Sequence, residues 1–239
     1  MVPYYELFDF DKDPFSTNPK RFTDKLVNMD EILKEMYYRI KSANLLVVKG
    51  KSGFGRTSLL MHVAQRYNGS GKIIYINSEK IGKDLNITKV LKDKYGIIGK
   101  LLNKKPKNMV LLLDNAQNLS EKNNERIKFY FDQNYLRSII FTCEEFKDIK
   151  ISASLKDRIG SRIKEIPEID EHDAVEIIRN RIGESNLLTD ELIIEIFKRS
   201  DRNPKKMIKN CKKIAKLVVQ NNDSRIKYVD VEKILGDKK

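Results

Sequence analysis

The chain has 239 residues, enough to bury a core without disulfide or metal staples, and its 47 Lys and Arg against 34 Asp and Glu give a formal charge of +13. Two cysteines, Cys143 and Cys211, with no CxxC pair, and two histidines, His62 and His172, with no partner at metal spacing, argue against a disulfide scaffold or a Cys/His zinc site. No signal-like segment opens the chain and no apolar run is long enough to span a membrane, so a cytoplasmic, reducing setting is expected; the charge favours a polyanionic partner, nucleic acid before anionic membrane.

In chain order, residues 1–28 are rich in aromatics and carry prolines (Tyr4, Tyr5, Phe8, Phe10, Pro14, Phe15, Pro19, Phe22), which predicts an irregular arm that packs its rings onto a surface. Ile32, Leu33, Met36, Tyr37 and Ile40 then recur at helical spacing behind the acidic first turn Asp30-Glu31. Four short continuous apolar runs follow: Leu45 to Val48, Ile73 to Ile76, Met109 to Leu113 and Ser138 to Phe141. Helix-length stretches lie between them, at about 57–67, 87–102 and 120–133. Strands buried on both faces and separated by helix-sized connections predict a parallel sheet in an α/β domain. After Pro167 only helical stripes remain, one of Ala174, Val175, Ile177, Ile178 and Ile182, a second of Leu192, Ile193, Ile196 and Phe197, a third of Met207, Ile208, Cys211, Ile214, Ala215 and Val218. The expected division is an arm over 1–28, an α/β core over 29–167 and an all-helical domain over 168–239, closed by a short helix near Val229 to Leu235.

Directly after the first strand stands Gly50-Lys51-Ser52-Gly53-Phe54-Gly55-Arg56-Thr57-Ser58, which fits the phosphate-loop pattern except that Arg56 replaces the lysine. Glycines let backbone N–H groups curl around phosphates, and a helix starting near Thr57 adds its positive end. Thr57 is the expected Mg²⁺ ligand on this loop, and Arg56 keeps the lysine's charge in a bulkier, forked shape. The third strand ends in Asp114, an acid placed to hold Mg²⁺, followed by Asn115. An amide cannot take a proton from water, so hydrolysis is expected to be slow or absent. Glu144 and Glu145 are the nearest substitutes by sequence, with a solvated turn as their expected role. Thr142, at the end of the fourth strand, is a candidate sensor of the γ-phosphate or the attacking water. Arg158 is a candidate arginine finger, with Arg162 close behind, and Lys205 in Asn203-Pro204-Lys205 is a candidate phosphate contact upon domain closure.

Together these elements resemble the AAA+ ATPases, in the branch that includes archaeal origin-recognition initiators and the ExeA, TniB and TnsC type ATPases. The resemblance runs through Tyr5-Glu6-Leu7-Phe8, Asp13-Pro14-Phe15-Ser16, Asp114-Asn115-Ala116-Gln117-Asn118-Leu119 and Ser200-Asp201-Arg202-Asn203-Pro204-Lys205. It implies a P-loop parallel-sheet core followed by a helical lid, ATP or ADP with Mg²⁺ as cofactor, and roles for Thr57, Asp114, Thr142 and Lys205. The departures from the family pattern are Arg56 for Lys, Asn115 for Glu, Arg202 for Gly and Lys205 for Arg. Archaeal initiators continue into a winged-helix domain for which no residues remain here, so DNA contact is expected from the module itself or from a partner.

Two basic clusters are candidates for that contact. Lys205, Lys206, Lys209, Lys212, Lys213 and Lys216 lie along one predicted helix; Lys89, Lys92, Lys94, Lys100, Lys104, Lys105 and Lys107 form the other. Either can neutralise phosphates without reading sequence, and either can equally be a solvated face. Three functions stay open: a nucleotide-controlled switch that assembles, as a homo-oligomer or otherwise, on DNA or on replication, recombination or transposition partners; an inactive scaffold or adaptor for a protein partner without DNA; and an active ATPase with a base from elsewhere.

Overall fold

The computed structural model describes residues 2–67, 73–81, 89–90 and 107–236. These divide into two compact units, one of residues 29–52 and 56–167, the other of residues 1–28, 53–55 and 168–239.

The first unit is an α/β layer built on a five-stranded sheet in the order β2-β3-β4-β1-β5, every pairing parallel. Its strands are β1 (Leu45–Lys49), β2 (Ile73–Asn77), β3 (Met109–Asp114), β4 (Leu136–Cys143) and β5 (Ile163–Glu165). The strands are apolar on both faces because helices cover both: β3 is buried at all six positions. Its helices are α1 (Asp30–Lys41), α2 (Arg56–Arg66), α3 (Ser78–Ile81), α4 (Glu121–Asp132) and α5 (Ala153–Ile159). Ser120 starts α4 by accepting from the Asn123 N–H, and Asn124 inside it donates to the Lys150 carbonyl at 2.7 Å. The helix predicted over 87–102 falls outside the described residues except for helical Lys89 and Val90, and Lys92, Lys94, Lys100, Lys104 and Lys105 fall outside with it.

The other unit holds α6 (Glu171–Ile182), α7 (Asp190–Arg199), α8 (Pro204–Gln220) and α9 (Tyr228–Leu235). Each of the first three opens with a side-chain cap: Asp170 in a reciprocal capping box with Asp173, Thr189, and Asn203 followed by Pro204 at the first helical position. The arm belongs to this unit. Phe15 is fully buried in the helical core with Ile178, Phe197, Cys211 and Ile214, while Tyr4, Phe8 and Phe10 pack on its edge. Arg181 fastens the arm by donating to the Pro14 and Ser16 carbonyls, both at 3.0 Å, with its guanidinium 4.3 Å from the centre of the Phe22 ring. Burial pulls its pKa down to about 10.

Among the described residues no helix is long and apolar enough to cross a membrane. Cys143 and Cys211 are both buried and free, and burial pushes each thiol up to about 12.

Candidate nucleotide site

Parallel register brings the ends of the central strands together. Val48 pairs with Thr142, and Leu113 with Phe141, so the phosphate loop after β1, Asp114 at the end of β3 and Thr142 at the end of β4 share one edge of the sheet. Gly53 and Gly55 take φ of +89° and +92°, a left-handed backbone that makes the loop curl. Within the helical unit, a Cβ on Gly53 would lie 2.5 Å from the Asn203 Oδ1, so this glycine is also required by space. Gly50 is buried, Lys51 and Ser52 are exposed, and Phe54, Thr57 and Ser58 are half-buried.

Asp114 is fully buried and gathers donors from three elements. On Oδ2 it accepts from Thr57 Oγ1 at 2.7 Å, Tyr75 OH at 3.0 Å and Asn77 Nδ2 at 3.5 Å; on Oδ1 it accepts from Thr142 Oγ1 at 2.6 Å. Burial, then the charge of Asp114, pushes the Tyr75 phenol well above its ordinary range, so Tyr75 stays a donor. Thr142, the candidate sensor, has no exposed surface: it gives its proton to Asp114 and accepts the Asn115 backbone N–H at 3.2 Å, so it fixes the carboxylate.

Arg56 and Asn115, the two departures from the motifs, meet. Arg56 Nη2 donates to Asn115 Oδ1 at 3.3 Å and pairs with Glu144 Oε1 at 3.2 Å, and the Arg56 side chain is only 8% exposed. Asn115 also donates to Glu79 Oε2 at 3.4 Å. Its φ of +56° is the left-handed conformation that asparagine tolerates better than glutamate. Glu144 is therefore tied to the phosphate loop and does more than turn a solvated corner. Sequence spacing carried no sign of this, because the contact arises from the register of β1 against β4.

The donor set fits the cofactor that the motifs imply. The Thr57 hydroxyl and the Asp114 carboxylate are hard oxygen ligands 2.7 Å apart, suited to a Mg²⁺ that brings its own waters. Arg56 Nη1 is buried and has no hydrogen-bond partner among the described residues, a donor left over for an anion. Thr57 and Asp114 would hold the metal, whose chemistry is to neutralise phosphate charge; the loop's N–H groups and Arg56 would hold the phosphates.

Residues 31–166 match the bacterial DnaA ATPase domain. The chain belongs to that family, within the AAA+ ATPases. No curated protein matches it. Among solved structures, this AAA+ chain is similar to Cdc6p from Pyrobaculum aerophilum (15% identity, TM-score 0.78, covering 94% of this chain and 70% of that one). It is also similar to the Aeropyrum pernix Orc1 protein in complex with DNA (13%, 0.73, 92% and 67%) and to the Thermotoga maritima RuvB Holliday junction branch migration motor (18%, 0.63, 87% and 69%). At these identities the structural likeness concerns the fold alone, a parallel-sheet core followed by a helical region.

The remaining predicted residues lie elsewhere. Arg158 is half-exposed on α5 and pairs with Asp132 at 3.0 Å; with Asn108, Asn134, Leu136 and Arg137 it lines a cavity of about 470 Å³ at the N-terminal ends of β3 and β4. Arg162 has a buried Nε with no hydrogen-bond partner among the described residues. Lys205 is exposed on the first turn of α8. Next to it, Arg202 takes the family glycine's place and keeps a left-handed φ of +51°. Turning at 100° per residue, the six α8 lysines fall within an arc of about 120°, opposite buried Met207, Cys211, Ile214 and Val218. Five are exposed; Lys206 pairs with Asp201 at 2.8 Å, and half-buried Lys212 pairs with Asp13 at 2.5 Å.

The expectation that neither histidine has a partner at metal spacing fails for His172. Asp170, His172 and Asp173 bring ligand atoms within 4.8 Å of one another at the start of α6. The physical reason is the capping box, which folds both carboxylates over the first turn and spends them on backbone N–H groups beside the helix's positive end.

Proposed function

We propose that this AAA+ ATPase is a nucleotide-controlled assembly switch acting on DNA or on DNA replication or recombination partners, with ATP hydrolysis weak or absent. In this reading residues 29–167 form the nucleotide-binding core, 168–239 the lid and 1–28 an arm; ATP or ADP with Mg²⁺ occupies the loop Gly50–Thr57 against Asp114, and Lys205 is a candidate phosphate contact. The observation that carries it is Thr57 Oγ1 at 2.7 Å from buried Asp114 while Asn115 stands in the position of the base. Metal and phosphate ligands are kept and the group that takes a proton from water is missing, which favours holding nucleotide over turning it over.

The α8 lysines supply a DNA surface without sequence readout, in keeping with the charge of +13 and with the likeness to an Orc1 protein in complex with DNA. Arg158 is suited to reach the nucleotide of a neighbouring copy in a homo-oligomer, and a cytoplasmic location suits such a role. Calorimetric titration with ADP and with a nonhydrolysable ATP analogue plus Mg²⁺, followed by DNA titration with and without nucleotide at two salt concentrations, tests the reading. Micromolar or tighter nucleotide binding that changes DNA affinity is expected. Absence of nucleotide binding would sink it.

A further inference from the structure

The two motif departures and a residue outside the motifs form one cluster. Arg56, the first residue of α2, turns its guanidinium inward, where Nη2 is shared between the Asn115 amide oxygen and the Glu144 carboxylate. The Arg56 side chain is more than nine-tenths buried, Nη1 has no hydrogen-bond partner among the described residues, and Glu144 is half-exposed just after β4. A buried guanidinium with one satisfied and one unsatisfied nitrogen has two possible anionic partners, the carboxylate it already touches and a phosphate on the adjoining loop.

We propose that Glu144 is a positioning residue for Arg56: it holds the guanidinium inside the core and competes for it with the phosphates of a bound nucleotide. Asn115 makes this arrangement possible. A glutamate there would bring a second carboxylate to Arg56 and lock it, whereas a neutral amide steadies the guanidinium and leaves it free to exchange partners. The Arg56 and Asn115 departures are thus one linked change, with Glu144 supplying the carboxylate that position 115 lacks. Apparent nucleotide affinity is then the intrinsic affinity scaled by the fraction of molecules in which Arg56 is released. The inference rests on the nucleotide-site reading above.

The test is a fluorescence titration of Mg²⁺ with ADP and with a nonhydrolysable triphosphate analogue, for wild type, E144Q, R56K and R56K/E144Q, together with the Tm of each nucleotide-free protein. E144Q removes the competitor and should tighten triphosphate binding about five- to tenfold, and ADP less, an effect the size of one ordinary net hydrogen bond because the glutamine amide still accepts from Arg56. The same change deprives a buried guanidinium of its counter-charge and should lower the Tm of the free protein by about 2–4 °C. Opposite movements of affinity and stability distinguish a competing partner from a merely structural one, which moves both downward. In the R56K background E144Q should change triphosphate affinity less than twofold. Unchanged or weaker triphosphate binding by E144Q, or an equal gain in both backgrounds, overturns the competition while leaving the nucleotide site intact. Nucleotide bound by none of the four proteins overturns both readings.

Discussion

Thr142 gives its only hydroxyl proton to Asp114, 2.6 Å away, although the two stand at the ends of different strands. With Thr57, Tyr75 and Asn77 on the other oxygen, the carboxylate is aimed by its neighbours before any metal arrives.

Asp114→Ala should abolish the Mg²⁺-dependent part of nucleotide affinity, and Thr57→Ala should weaken it at least tenfold, as measured by titration with and without Mg²⁺. Thr142→Val removes one charge-assisted hydrogen bond and leaves the Asn115 N–H unsatisfied, which should cost about 1–3 kcal/mol in urea unfolding and weaken Mg²⁺-nucleotide binding. Wild-type affinity in both Thr57→Ala and Asp114→Ala would place the nucleotide elsewhere.

On the lid face, Lys209, Lys213 and Lys216 are the α8 lysines to reverse, since Lys206 and Lys212 have carboxylate partners. The triple change to Glu should weaken DNA binding at low salt more than tenfold. It should also flatten the salt dependence, by about 0.9 in log–log slope for each DNA phosphate that is no longer neutralised. Fluorescence anisotropy over a salt series reads both, and an unaltered slope would remove this face from the DNA reading.

Asp13 carries an acid-sensitive contribution to the helical unit. Burial works to raise its carboxyl pKa, but hydrogen bonds from Lys212 and Tyr4 and the Lys212 charge outweigh it and hold the group below its ordinary value. A depressed carboxylate stabilises the fold above the unfolded pKa of about 3.9, and the contribution is lost as pH falls through the folded value. Thermal unfolding between pH 7 and 3 should show wild type more stable than D13N near neutrality and the difference closing below about pH 4.

The arm's anchor is a core residue in the energetic sense. Phe15→Ala empties a site with no exposed surface and should cost about 3–5 kcal/mol, whereas exposed Leu7→Ala should cost under about 0.5. Denaturant midpoints of the two variants provide the comparison.

The continuous apolar strands, the amphipathic helix stripes and the phosphate loop were legible in the sequence because each is a local pattern. β5 was not: its three residues, Ile163-Lys164-Glu165, are half-buried or exposed and show no apolar run. α5 was hidden for the same reason, a seven-residue helix with two buried positions. Asp114 and Thr57 could be named from their motifs, but the Thr142 hydrogen bond and the Arg56–Glu144 pair are created by strand register, which spacing along the chain does not encode. His172 was missed because its neighbours look like ordinary helix-cap acids, which is also how they are used.

That the arm and α6–α9 share one core has a bearing on the order of folding. The sheet unit, residues 29–52 and 56–167, lies between the two parts of that core in the chain, and domains generally fold as they emerge from the ribosome. Phe15, made first, has no burial site until Ile196, Phe197, Cys211 and Ile214 exist, and the Asp13–Lys212 pair closes across 199 positions of chain. The arm's burial sites are therefore complete only once α6–α8 have been made, and closing so long a stretch of chain carries an entropic cost that a local contact does not.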